Sequence, residues 1–202
     1  ANMSIGLVWF NAADVLLWAA WWLVGWGSNS AYALVGGYRF LAQALAYELP
    51  LMFSLTTTAV AAGSLDTAAI VDAQHNGWYV LQMPIAAIVY FAAVAAFATW
   101  GPFAHPGGVD AAGGLESELS GFDRLLLAVG RYALLSMGAA MGAALFLGGS
   151  AGPMLPGWLW SLVKTLAVLV MLMALRRFPV LAAARVIRIA SVLVLPATLA
   201  QV

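Results

Sequence analysis

A chain of 202 residues that is 64% hydrophobic and 8% charged, with a mean hydropathy of +0.96, is too apolar for a water-soluble domain of ordinary composition. Eight basic and eight acidic residues cancel, so no basic field points to nucleic acid. The absence of cysteine excludes disulfides, thiolate metal sites, iron–sulfur ligation and a thiol nucleophile within this chain, and any redox centre must lie elsewhere.

The solvent implied is the lipid bilayer. Crossing its hydrocarbon takes roughly 20 apolar residues at about 1.5 Å of helical rise each. The sequence offers that window six times, over about 3–26, 38–62, 79–100, 122–148, 157–176 and 184–201. These runs are long and lack the period-two alternation of a barrel strand, so the expected class is an all-α integral membrane protein in one polytopic domain, 1–202. The connections "GSNSAYALVGG", "GSLDTAAIVDAQHNGW", "GPFAHPGGVDAAGGLESELSG", "GGSAGPMLP" and "RRFPVLAA" carry turn and breaker residues. Trp26, Trp78, Tyr79, Trp100, Trp158 and Trp160 stand near span ends, as in an interfacial belt.

The first, third and fifth links lie on one side and collect Arg39, Arg124, Arg176, Arg177, Arg185 and Arg188 at or near their edges, which assigns that side to the cytoplasm. Both chain ends then face outward. The opening residues show neither a basic n-region nor a small-residue cleavage site, so no signal peptide is expected, and an N-terminal part is expected to be missing.

The second span is the unusual one. Arg39, Gln43 and Tyr47 follow at i, i+4 and i+8, and Ser54 and Thr58 fall back on the same helical face, which makes a polar stripe. Pro50 leaves the carbonyl of Ala46 without its amide donor and predicts a kink. Glu48 lies off the stripe; a carboxylate at that depth costs on the order of 2.5–3.5 kcal/mol on insertion scales, so it is expected to face protein or water. A polar cavity is one reading, and packing through interhelical hydrogen bonds is the other.

Further intramembrane ionisable residues are Asp14, accompanied by Asn11, then Arg131 and Lys164. Lys164 is seven residues past Gly157, about 10 Å deep, with Asp14 and Glu48 as its candidate partners in either an ion pair or a proton relay. Gly138 and Gly142 in "GAAMG" read as a close helix contact. The third link gathers His105, Asp110, Glu116, Glu118 and Asp123, but at no zinc or EF-hand spacing, so a solvated acidic loop is expected and no metal site. No phosphate-cradling loop, catalytic triad or HExxH is present, so the chain is not expected to be catalytic alone.

Most of these residues fall into a recognisable order. "GWGSNSAYALVGGYRFLAQALAYELPL" resembles the signature region of the membrane-embedded H subunit of respiratory complex I, the NADH-quinone oxidoreductase, a family that includes the matching subunit of membrane-bound hydrogenases. "AAGSLDTAAIVDAQ", "PF" at Pro102, "ELSG" at Glu118, "RYA" at Arg131, "LFLGG", "PGWLWSLVKT" and "RRFPVLAAARVIRIASVLVLP" follow in the family's order. The resemblance implies the last six spans of an eight-span fold, in the bacterial cytoplasmic membrane. It further implies a subunit that anchors the redox arm and helps form a quinone chamber and a proton path. No cofactor belongs to this chain; quinone is the substrate of the complex, and iron–sulfur clusters sit in partner subunits. Partners would be other membrane-arm and peripheral redox subunits. By position, Arg39, Gln43, Tyr47 and Glu48 match the family's motif, and Glu118 matches another acidic position.

The departures are concentrated in the third link. Phe97, Trp100 and Ala104 stand where the family has a glutamate, an arginine and an aspartate, Gly107, Val109 and Ala111 replace further carboxylates, and Arg131 replaces a glutamate. Phe, Gly and Val cannot alternate between protonation states, so proton transfer through that link is not expected to follow the family's route. A scaffold subunit that has lost coupling, and a free-standing transporter, are the competing expectations.

Overall fold

The computed structural model describes residues 4–108, 113–153 and 156–201, with Asn76 through its backbone only. Every regular element among them is helical: α1 (Gly6–Gly27), α2 (Ala31–Ala62), α3 (Thr67–Ala73), α4 (Tyr79–Gln82), α5 (Pro84–Phe97), α6 (Gly121–Leu147), α7 (Gly157–Ala174), α8 (Ala183–Ile189) and α9 (Leu195–Leu199). Of these, α1, α2, α6 and α7 are long and apolar enough to cross a membrane. The expected third span is shorter than its apolar window. Its helix restarts at Pro84, whose fixed φ suits the first turn, and ends where Thr99 and Gly101 take positive φ. The expected sixth span is interrupted by a π-turn over Ala190–Val194, directly before Pro196, which has no amide to give to the carbonyl of Val192.

Helices α1 and α7 bury only a narrow row and leave the rest of their surface exposed, whereas α2 is buried around much of its surface. On α1 the seam is Leu7, Asp14, Trp21 and Gly25, whereas Trp9, Leu16 and Leu23, two residues on and so about 200° round the helix, are exposed. On α7 the seam is Lys164, Val168 and Leu172, four residues apart. Helix α2 sits at the centre, packed against α1, α5 and the α8–α9 segment. Its 32 residues are capped by the Ser30 hydroxyl, which accepts from the Tyr32 amide, and by Gly63 in the left-handed conformation. The helix runs unbroken through Pro50. Ser54 then donates to the Ala86 carbonyl of α5 at 2.7 Å, while Thr57 and Thr58 bond back to their own helix.

Helices α5 and α6 meet at the GAAMG glycines. A Cβ at Gly138 would stand 2.5 Å from Val94 Cγ1, and one at Gly142 2.5 Å from Phe91 Cε1, so any side chain would force the helices apart. The first, third and fifth links converge at one end of the bundle. Leu181 N donates to the Pro102 carbonyl at 2.8 Å, Ser30 Oγ donates to Glu118 at 2.9 Å, and Gly36 leaves room for the Leu115 amide and the Pro106 carbonyl. At the opposite end Gln74 donates to the carbonyls of Ala144 and Leu145.

Replacing Gly142 by Leu is expected to destabilise the detergent-solubilised protein by about 1–3 kcal/mol through overpacking. Gly130→Ala, where nothing lies within 4 Å, is expected to be neutral or mildly stabilising. Thermal unfolding midpoints of the two variants check the contrast.

Candidate functional site

The polar stripe of α2 climbs from the link end into the bundle, one helical turn per rung. Arg39 donates to the Gly113 carbonyl of the third link. One turn deeper, Gln43 is fully buried and donates to the carbonyls of Ala96 (2.9 Å) and Phe103 (3.2 Å), which ties the frayed end of α5 to α2. One further turn on, Tyr47 turns its hydroxyl toward α1 and donates to Asp14 Oδ1 at 3.4 Å.

Glu48 follows Tyr47 and faces the same helix. Its Oε1 accepts from Asn11 Nδ2 at 3.3 Å, and its carboxyl lies against that of Asp14. Asp14 is 4% exposed and Glu48 9%. The second acidic oxygens, Asp14 Oδ2 and Glu48 Oε2, have no hydrogen-bond partner among the described residues, and neither does Asn11 Oδ1. The Trp18 indole N–H approaches the Tyr47 hydroxyl without reaching hydrogen-bond geometry. Ion pairs among the described residues join His75 to Asp72 and Glu116 to Arg124 and Arg131, so none of them provides a cation for Asp14 or Glu48.

Lys164 is placed elsewhere, and its expected pairing with Asp14 or Glu48 does not occur. Its Nζ donates to the carbonyls of Leu147 and Ala151, each at 2.6 Å, and sits over the rings of Trp78 (5.4 Å) and Trp160 (5.6 Å). The reason is geometric. Lys164 lies at the end of the bundle opposite the stripe, where the last turn of α6 exposes carbonyls that no helical amide can reach.

Arg131 belongs to the link end. It donates to the carbonyls of Ala98 and Thr99, binds Glu116, and stands over Trp100 at 6.0 Å; Arg176 covers the same indole at 4.8 Å. Glu116 is thus committed to Arg131, and Glu118 to Ser30. Asp110 lies outside the described residues. Among the described residues no three acidic or histidine side chains gather as a metal would require. A groove of about 580 Å³ runs between α1 and α6; Leu17, Trp21 and Leu134 form its apolar walls and Glu118, Asp123 and Arg131 its polar end.

Sequence spacing found Arg39, Gln43 and Tyr47 as one row. It offered Asp14 and Glu48 as candidate partners of Lys164, a pairing the structure does not make.

The sequence profile of the family described as NADH dehydrogenase matches residues 1–202. Among similar curated proteins, the second of the NADH-quinone oxidoreductase H subunits of Geobacter sulfurreducens is 38% identical over 168 residues, 83% of this chain and 51% of its own. The second H subunit of Cereibacter sphaeroides is 37% identical over 180 residues, 87% of this chain and 56% of its own. The H subunit of Geobacillus thermodenitrificans is 32% identical over 208 aligned residues, 100% of this chain and 63% of its own. The chain therefore spans roughly half to two thirds of the length of these relatives.

Lys164→Met is expected to lower the thermal midpoint by removing two part-buried charge-assisted hydrogen bonds. A thermal melt of the detergent-solubilised variant against the parent chain checks this.

Proposed function

Since the chain belongs to the NADH dehydrogenase family, whose similar members are named as H subunits of NADH-quinone oxidoreductase, we propose that it serves as an integral membrane subunit of a quinone-reducing complex of that type, lining part of a proton path. The observation that carries the reading is the Asp14–Glu48 carboxyl pair, buried at α1–α2 and bonded to Tyr47 and Asn11, on a helix whose Gln43 and Arg39 follow on the same face toward the link end. Buried acids cost free energy, and neither is answered by a described cation, so packing alone gives little reason to keep them.

The link end is the side that docks the peripheral redox subunits and faces the cytoplasm, in keeping with its arginines. The α1–α6 groove has the size and lining of a small-molecule site, with an apolar wall and a few polar groups at one end, and contributes to the quinone chamber. Quinone chemistry and iron–sulfur clusters belong to the complex. The part of this chain is to hold the membrane side of the chamber and to let protons reach buried carboxyls when charge changes there.

The scaffold reading is favoured by the Arg131 network. The Arg131 guanidinium is locked to Glu116 and two backbone carbonyls, an arrangement that braces the third link and carries no proton.

Glu48→Gln in the native complex separates the readings. A proton-path subunit is expected to lose proton translocation by on the order of tenfold or more while the complex still assembles. Unchanged translocation and quinone turnover in the glutamine variant would leave the scaffold role standing alone.

A further inference from the structure

The hydrogen-bond inventory around Glu48 does not close. Three buried acceptors lack a donor, Asn11 Oδ1, Asp14 Oδ2 and Glu48 Oε2, while the one unsatisfied donor nearby is the indole N–H of Trp18. Each of these oxygens can accept a further hydrogen bond, and a carboxyl donates one only when it is protonated. Both acids are more than nine-tenths buried. The neighbouring titratable groups are the phenols of Tyr47 on α2 and Tyr90 on α5, neither of which brings a positive charge. Two like charges in contact within a membrane-spanning seam, with no described cation beside them, are relieved most directly by a proton held in common.

We propose that Asp14 is a second proton-carrying residue, forming with Glu48 a two-carboxyl relay across the α1–α2 seam. The inference rests on the proton-path reading of Glu48. In the transfer step the O–H bond on Asp14 breaks as an O–H bond forms on Glu48. The negative charge passes the other way, so the pair holds one proton and one charge before and after this step. Release of the Glu48 proton to water is matched by uptake of a proton from water at Asp14, which restores the singly protonated pair. Tyr47 and Asn11 are positioning residues: each donates to one carboxylate oxygen and leaves the other free to exchange.

The test uses the native complex carrying Asp14→Asn, Glu48→Gln or both. Each single variant is expected to lower proton translocation by on the order of tenfold or more. The double variant should be no worse than either single one, because the two groups act as a unit. Infrared difference spectra of the wild-type complex should show a protonated-carboxyl C=O band that shifts in D2O and is lost in both single variants. If Glu48→Gln impairs transfer but Asp14→Asn keeps both the transfer and the band, the relay is overturned while the path through Glu48 survives. Wild-type transfer in Glu48→Gln overturns both. Should Asp14→Asn fail to assemble, Asp14→Glu must restore assembly and transfer together. A wild-type complex without the band overturns the relay regardless.

Discussion

Lipid offers no hydrogen bonds, so every polar atom that this chain carries into the hydrocarbon must find its partner inside the protein. That constraint explains the placing of nearly every polar side chain in the bundle. Ser54 reaches the α5 backbone, Thr57 and Thr58 fold back on α2, Gln43 spans to two carbonyls at the end of α5, and Lys164 covers the open carbonyls of α6 and its neighbouring link. Asp14 Oδ2, Glu48 Oε2 and Asn11 Oδ1 are left without a partner together at the α1–α2 seam, while Gln43 Oε1 and Thr99 Oγ1 are further buried oxygens without one among the described residues.

The seam owes its existence to packing further away. Helix α2 is held centrally because small residues let its neighbours approach, Gly36 and Gly37 toward the third link and α1, with Gly138 and Gly142 bringing α6 onto α5. The third link and the end of α5 are tied down by arginines: Arg39 from α2 donates to the Gly113 carbonyl and Arg131 from α6 to those of Ala98 and Thr99. A link braced this way fixes the mouth of the α1–α6 groove and the outer rungs of the α2 stripe. Rigidity at the link end and acidity at mid-bundle are thus complementary parts of one arrangement, the first holding geometry and the second holding charge.

Much of this was legible in the sequence, for identifiable reasons. Long apolar windows gave the membrane class and four of the long helices, because hydropathy over about 20 residues is a sum that local detail hardly disturbs. The row Arg39–Gln43–Tyr47 was legible because a four-residue spacing survives whatever the tertiary structure does. The break at Met83–Pro84 and the π-turn before Pro196 were marked only by their prolines, and apolar windows run straight across both. The carboxyl pair was not legible. Asp14 and Glu48 lie 34 residues apart on different helices, and their meeting depends on the rotation of α1 about its axis, which heptad-spaced Leu7, Asp14 and Trp21 reveal only once the buried face is known. Lys164 illustrates the converse: charge complementarity suggested a carboxylate partner, whereas helix-end carbonyls at the opposite side of the bundle claimed it.

The central claim is that this chain works as one subunit of a redox assembly, with its link end against peripheral subunits. Native mass spectrometry of gently solubilised membranes tests that most directly. The account predicts that the chain emerges bound to other membrane-arm subunits and to iron–sulfur-bearing peripheral ones. A monodisperse chain released alone, with no redox subunit attached, would contradict it.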